Sequence, residues 1–130
     1  MGYEVKIVRS DLRIPAEKQP EVYLRWCKLN DPANDHLKGG GSYHGGVREH
    51  AWYSWMDEDY DKTCRTVGEI LHQLGFEYTV GNGGDIFVTG YDSKTGQEEL
   101  FFDRVSDLID GSVEWEGEDG ENFTWNFTKK

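Results

Sequence analysis

The run Asp57-Glu58-Asp59-Tyr60-Asp61 sets four carboxylates in five positions. Alternating carboxylates of this kind open a calcium loop, where oxygen ligands surround a hard cation. Such a loop also needs glycine at its sixth position and glutamate at its twelfth, and counting from Asp57 these are Lys62 and Gly68. The pattern therefore fails, and acids just ahead of a helix are favoured by its dipole without any ion. His36, His44 and His50 lie eight and six residues apart, spacings that no zinc motif uses. The glycines from Gly39 to Gly46 lack the lysine and hydroxyl residue of a phosphate cradle. With no HExxH and no nucleophile elbow either, no compact catalytic signature remains and no cofactor is expected.

A different chemistry is written in Val113 to Trp125, VEWEGEDGENFTW, which holds five carboxylates, two tryptophans and a phenylalanine with no basic residue. If Trp115, Phe123 and Trp125 enter the core, Glu114, Glu116, Glu118 and Asp119 are left as fixed negative charge. Asp103, Asp107 and Asp110 would extend it. Regularly placed negative charge is what a basic groove built for phosphates attracts. Trp52, Tyr53 and Trp55 adjoin the Asp57, Asp59 and Asp61 run and are candidate contact anchors, because Trp and Tyr dominate interface energetics.

The charge is unevenly distributed. Residues 1–56 carry eight basic and seven acidic side chains, whereas residues 57–130 carry six basic and eighteen acidic. A basic stripe that could track phosphates is missing, so direct binding to nucleic acid or to an anionic membrane is disfavoured and a basic protein surface is the natural partner.

The elements that must position these residues follow from periodicity. Tyr3, Val5 and Ile7 alternate with charged residues as a strand does. Pro20 suits the first turn of a helix whose stripe is Val22, Trp26 and Leu29. Residues 31–49 read as a Gly-rich loop, and His50 to Met56 as an aromatic strand. Two similar units follow. Thr66 and Glu69 predict a capping box, Val67, Ile70, Leu71 and Leu74 a core stripe, and Gly75 its end, before a hairpin across GNGG. Thr95 and Glu98 repeat the box, Phe101, Val105, Leu108 and Ile109 the stripe, and Gly111 its end, before a hairpin across EDGE. The expected fold is α+β, a single domain over residues 1–130 in which two or three helices pack on one face of a mostly antiparallel sheet. Phe76, Tyr78, Val80, Val113, Trp115, Phe123, Trp125 and Phe127 are the expected core positions of its strands.

At 130 residues and 14% aromatic content the chain suits one core built from a few large rings. No apolar run approaches the ~20 residues of a membrane span, and the start MGYEVKIVRS has no signal-peptide layout, so a cytoplasmic location is expected. Cys27 and Cys64 lack metal-type spacing and read as reduced thiols.

The MGY start, the segment GYDSKTGQEELFF and the ending VEWEGEDGENFTWNF resemble small acidic proteins of bacteriophages and bacteria. That resemblance implies a setting in which small accessory proteins act by binding. The leading expectation is accordingly a non-enzymatic acidic inhibitor of a bacterial defence system, in the manner of anti-CRISPR proteins, that blocks a basic nucleic-acid-binding surface. The alternatives are an immunity protein against a basic toxin, a phage structural component, or a small metal-dependent enzyme using the loop histidines and the Asp57–Asp61 acids.

Overall fold

The computed structural model describes residues 3–37, 43–44, 47–48, 52–53, 56, 59–95 and 98–127. The fold is α+β, with two antiparallel sheets where one was expected. The four-stranded sheet contains β1 (Glu4–Ser10), β7 (Asp92–Lys94), β8 (Ser112–Gly117) and β9 (Asn122–Asn126), in the order β7-β1-β8-β9. The three-stranded sheet contains β2 (Arg13–Ile14), β5 (Glu77–Val80) and β6 (Ile86–Gly90), in the order β2-β6-β5. The chain passes from one to the other through β1 and the residues after it: Ile7 donates to the carbonyl of Tyr91, between β6 and β7, at 2.8 Å, and Val88 of β6 donates to the carbonyl of Leu12, between β1 and β2, at 3.0 Å.

Both helix-and-hairpin units form. The first joins α3 (Val67–Leu74) to β5 and β6, and the second joins α4 (Glu98–Asp103) to β8 and β9. They feed different sheets, which is why a single sheet does not result. The first capping box forms with its return bond displaced by one residue: Thr66 Oγ1 accepts from the Glu69 amide at 3.1 Å, and the Glu69 carboxylate accepts from the amide of Arg65, just before the N-cap, at 2.6 Å. In the second, Thr95 and Glu98 meet side chain to side chain, the hydroxyl donating to the carboxylate.

Helix α4 is shorter than its stripe implied. It stops at Asp103, residues 104–108 continue as turns that still bury Val105, and Ile109 is buried just beyond them. Gly111, expected to end this helix, instead opens β8 at φ 103°, where a side chain would strike the backbone of Asp11. The segment read as loop between 31 and 49 contains a 3-10 helix at Pro32–Leu37 and a small ribbon of β3 (Tyr43–His44) and β4 (Val47–Arg48). Of the aromatic strand expected over 50–56, the described residues 52, 53 and 56 lie in bends.

Helix α1 (Gln19–Lys28) places Val22 and Trp26 in the core, with Leu29 buried just beyond its end. The Trp26 indole N–H donates to the Phe101 carbonyl at 2.7 Å, and the ring meets Phe101 and Phe102 edge-on. The hydroxyl of Tyr60, in the short α2 (Tyr60–Thr63), donates to the Trp26 carbonyl at 2.6 Å. Against the four-stranded sheet, Trp115 contacts Phe76, Tyr91 and Trp125. Ten of the 26 buried hydrophobic residues among those described are aromatic, so large rings share the core with a majority of smaller side chains. Two expected core positions are on the surface: Val80 is 61% exposed and Phe123 40% exposed. Both belong to outermost strands, which among the described residues have no neighbouring strand on the outer side.

Candidate functional site

One end of the four-stranded sheet gathers carboxylates from three strands and one turn. The register sets Lys6 of β1 between Asp92 of β7 and Glu116 of β8. Glu4 and Glu118 complete the surroundings of a groove of about 360 Å³, and Lys94 of β7 lies across from Glu4, so the four carboxylates outnumber the nearby lysines Lys6 and Lys94. Lys6 Nζ lies 3.3 Å from the Glu116 carboxylate, with both side chains well exposed. Glu4 and Glu118 hold each other by backbone, since the Glu118 amide donates to the Glu4 carbonyl at 2.9 Å. The Glu118 carboxylate in turn accepts from the Glu4 amide at 3.1 Å.

Beside this groove the β8–β9 turn carries Asp119, Gly120 and Glu121. The Asp119 carboxylate accepts from the Tyr3 hydroxyl and, at 3.1 Å, from the Glu121 amide. Those bonds hold it below the ordinary carboxylate range, the Tyr3 bond being the larger cause, and they push the Tyr3 hydroxyl up to about 12. Asp119 is therefore a fixed negative charge at neutral pH.

A second groove, of about 450 Å³, lies on the other side of the same sheet end, between the sheet and α4. Tyr3, Phe123 and Trp125 form its aromatic wall, and Glu98, Glu99 and Asp103 its acidic wall. Glu98 is almost fully buried, and its carboxylate accepts from the Tyr53 hydroxyl at 2.6 Å as well as from Thr95. Glu99 and Asp103 are exposed. Sequence reasoning missed this groove because it assigns Asp103, with Asp107 and Asp110, to an extension of the hairpin's charge and says nothing of Glu99. The available signal was the EEL preceding Phe101, which puts two acids at the start of a helix with a buried face.

Of the acids singled out from sequence, Glu114, Glu116, Glu118 and Asp119 do share the β8–β9 hairpin. Its charge is partly answered by β1: Arg9 lies across from Glu114 at 4.0 Å and Lys6 across from Glu116. Nor do the following acids continue the row outward. Asp107 is held by both terminal nitrogens of Arg25, at 2.6 and 3.2 Å, and Asp110 lies 4.0 Å from Arg13. Asp103 instead turns to the second groove.

Two of the three aromatic anchors, Trp52 and Tyr53, are corrected. Trp52 is 2% exposed and Tyr53 4% exposed. The Trp52 ring sits edge-on to Phe101, and the Tyr53 hydroxyl is committed to Glu98, so neither offers a contact surface. Asp59 is exposed just before α2. Asp61 is half-buried, and its carboxylate accepts from the Asn30 side chain at 2.7 Å, which assigns it to holding the end of α1. Trp55, Asp57, Glu58 and His50 lie outside the described residues, as do the side chains of His36 and His44. Among the described residues, no group of three or more His, Cys, Asp or Glu could hold a metal ion.

Neither described cysteine forms a disulfide. Burial pushes the Cys27 thiol up and so keeps it protonated, which suits a packed thiol better than a nucleophile. No helix among the described residues is long and apolar enough to cross a membrane. Comparison with protein-family models, with curated proteins and with solved structures finds no match.

Proposed function

We propose that this protein is a non-enzymatic acidic binding protein that occupies a basic, nucleic-acid-binding surface on a protein partner. The carrying observation is the sheet end where Glu4, Asp92, Glu116 and Glu118 surround Lys6, with Lys94 across from Glu4 and Asp119 fixed as an anion beside them. Rigid strands hold these charges at set separations, so the partner's cations meet a preformed array and little ordering entropy is lost. Such an array steers a basic partner as phosphates do.

The cations support the same reading. Lys6, Arg9, Arg13 and Arg25 each lie within 4.0 Å of a carboxylate, which leaves them poorly placed to track a nucleic-acid backbone. The biological role proposed is inhibition of a bacterial defence protein in the host cytoplasm by an anti-CRISPR-like phage protein, with Glu114, Glu116, Glu118 and Asp119 as the contacting charges.

The test is affinity capture from the native host at low and high salt, with the captured protein identified. The expected result is a basic nucleic-acid-binding protein, retained at low salt, released as screening shortens the reach of charge, and lost with Glu116→Lys plus Glu118→Lys. Capture that survives both high salt and the double substitution would overturn the proposal.

A further inference from the structure

We propose that the groove between α4 and the four-stranded sheet is a pocket for one arginine side chain of the protein partner. This rests on the reading of the protein as an acidic binding protein, and it adds a discrete recognition site to a general charge attraction.

The groove combines the two surfaces that a guanidinium group uses. Phe123 is an aromatic residue of the outermost strand β9, and 40% of it is exposed although its strand neighbours Trp115 and Trp125 are buried. Its ring lies parallel to that of Trp115, with centroids 5.9 Å apart and planes 5° from parallel, so it is held in place with one side supported by the core. Tyr3 is likewise fixed by its bond to Asp119. A planar cation stacks on such rings while its edge N–H groups bond to carboxylates.

The opposite wall supplies those carboxylates. Glu99 and Asp103 lie on α4, four positions apart and therefore on the same side of the helix, and both line the groove. No cation is within 4.0 Å of either among the described residues, unlike Glu114, Glu116 and Asp107. Glu98, at the base of the same wall, is bonded to the Tyr53 and Thr95 hydroxyls, which fixes the start of the helix that presents Glu99 and Asp103.

Trp125 gives an independent indication that a ligand is accommodated here. It is 8% exposed, it lines the groove, and its indole N–H has no acceptor among the described residues. A buried donor without an acceptor is costly, and tryptophan N–H groups in cores are normally bonded. An arginine arriving on a polypeptide brings backbone carbonyls with it, and one of these satisfies the Trp125 donor once a side-chain shift uncovers the N–H, which is closed over in this structure. Arginine is favoured over lysine because a spherical ammonium cannot both stack on Phe123 and span two carboxylates. The volume of about 450 Å³ lies within the range of built ligand pockets.

The experiment is a titration of the ¹⁵N-labelled full chain with the peptide acetyl-Gly-Arg-Gly-amide, and with the same peptide carrying citrulline, which keeps the shape and removes the charge. The expected result is saturable movement of the Trp125 indole resonance and of the Glu99 and Asp103 amides with arginine, and binding weaker by roughly tenfold or more with citrulline. Glu99→Gln plus Asp103→Asn, both at exposed sites, should weaken arginine binding by a similar factor while the remaining spectrum stays in place. An equal response to citrulline, or movement confined to the β8–β9 turn, would overturn the pocket. The outcome is separable from that of the wider reading: salt-sensitive capture of a basic protein without groove titration removes the pocket alone, and groove titration without any such capture removes the proposed function alone.

Discussion

The hydroxyl of Tyr3 donates to the carboxylate of Asp119, 116 positions further along the chain, and so ties the start of β1 to the β8–β9 turn. The ring reaches it by crossing Gly117, where any side chain would collide with the Tyr3 ring and hydroxyl. Gly117→Ala should therefore destabilise the protein by about 1–3 kcal/mol, the usual range for overpacking. Tyr3→Ser should relieve most of that loss when combined with it. A double-mutant cycle by urea unfolding checks this, and simple additivity would show that Tyr3 is not what Gly117 accommodates.

Trp26 joins α1 to α4 through its bond to the Phe101 carbonyl. Trp26→Phe keeps a ring but opens a void and strips a buried carbonyl of its donor, and should cost about 2–4 kcal/mol. Chemical denaturation should show a lower midpoint with an unchanged slope, since the surface exposed on unfolding stays the same. A loss below about 1 kcal/mol would mean that the core closes around the smaller ring.

Asp85 predicts an acid-sensitive joint. Its carboxylate accepts from the Ala16 amide at 2.8 Å and from Arg13 at 2.8 Å, and these bonds, the Ala16 amide first, hold it below the ordinary carboxylate range. A carboxyl with a depressed folded value stabilises the fold fully above its unfolded pKa of about 3.9, and that contribution is lost as pH falls through the folded value. Thermal stability should accordingly fall below about pH 4. Asp85→Asn should lower the melting temperature at neutral pH and flatten its decline below about pH 4. A constant offset at every pH would point to lost shape instead of lost charge.

Lys6 lines the first acidic groove, flanked by Asp92 and Glu116. Because its ion pair is exposed, Lys6→Gln should change stability by less than about 1 kcal/mol. The field of the sheet end becomes more negative, so association with the captured basic partner should quicken severalfold at low salt and converge with the wild type at high salt. Stopped-flow measurement across ionic strength decides this. A slower association would make Lys6 itself a contact residue.

Local pattern carried far into this fold. Val22, Trp26 and Leu29 on α1, the stripe and capping box of α3, and both hairpin turns depend on neighbours a few positions away, and periodicity reports such neighbours directly. The acidity of the β8–β9 hairpin was equally readable, because charge needs no fold to be counted.

What the sequence by itself determined is therefore the α+β class, the helix-and-hairpin units and which half of the chain carries negative charge. Tertiary structure alone decided that the two hairpins enter separate sheets, that Lys6 and Arg9 answer Glu116 and Glu114, and that Trp52 and Tyr53 turn inward while Phe123 stays half outside. The physical reason is that pairing and burial depend on which distant segment arrives opposite a residue. β1 meets β8 more than 100 positions later, and Tyr53 is drawn inside by Glu98, 45 positions away. Hydrophobicity alone would rank Trp52 and Phe123 alike. The difference is that the Trp52 ring is covered by Phe101, whereas Phe123 lies on a strand with no neighbour on its outer side among the described residues.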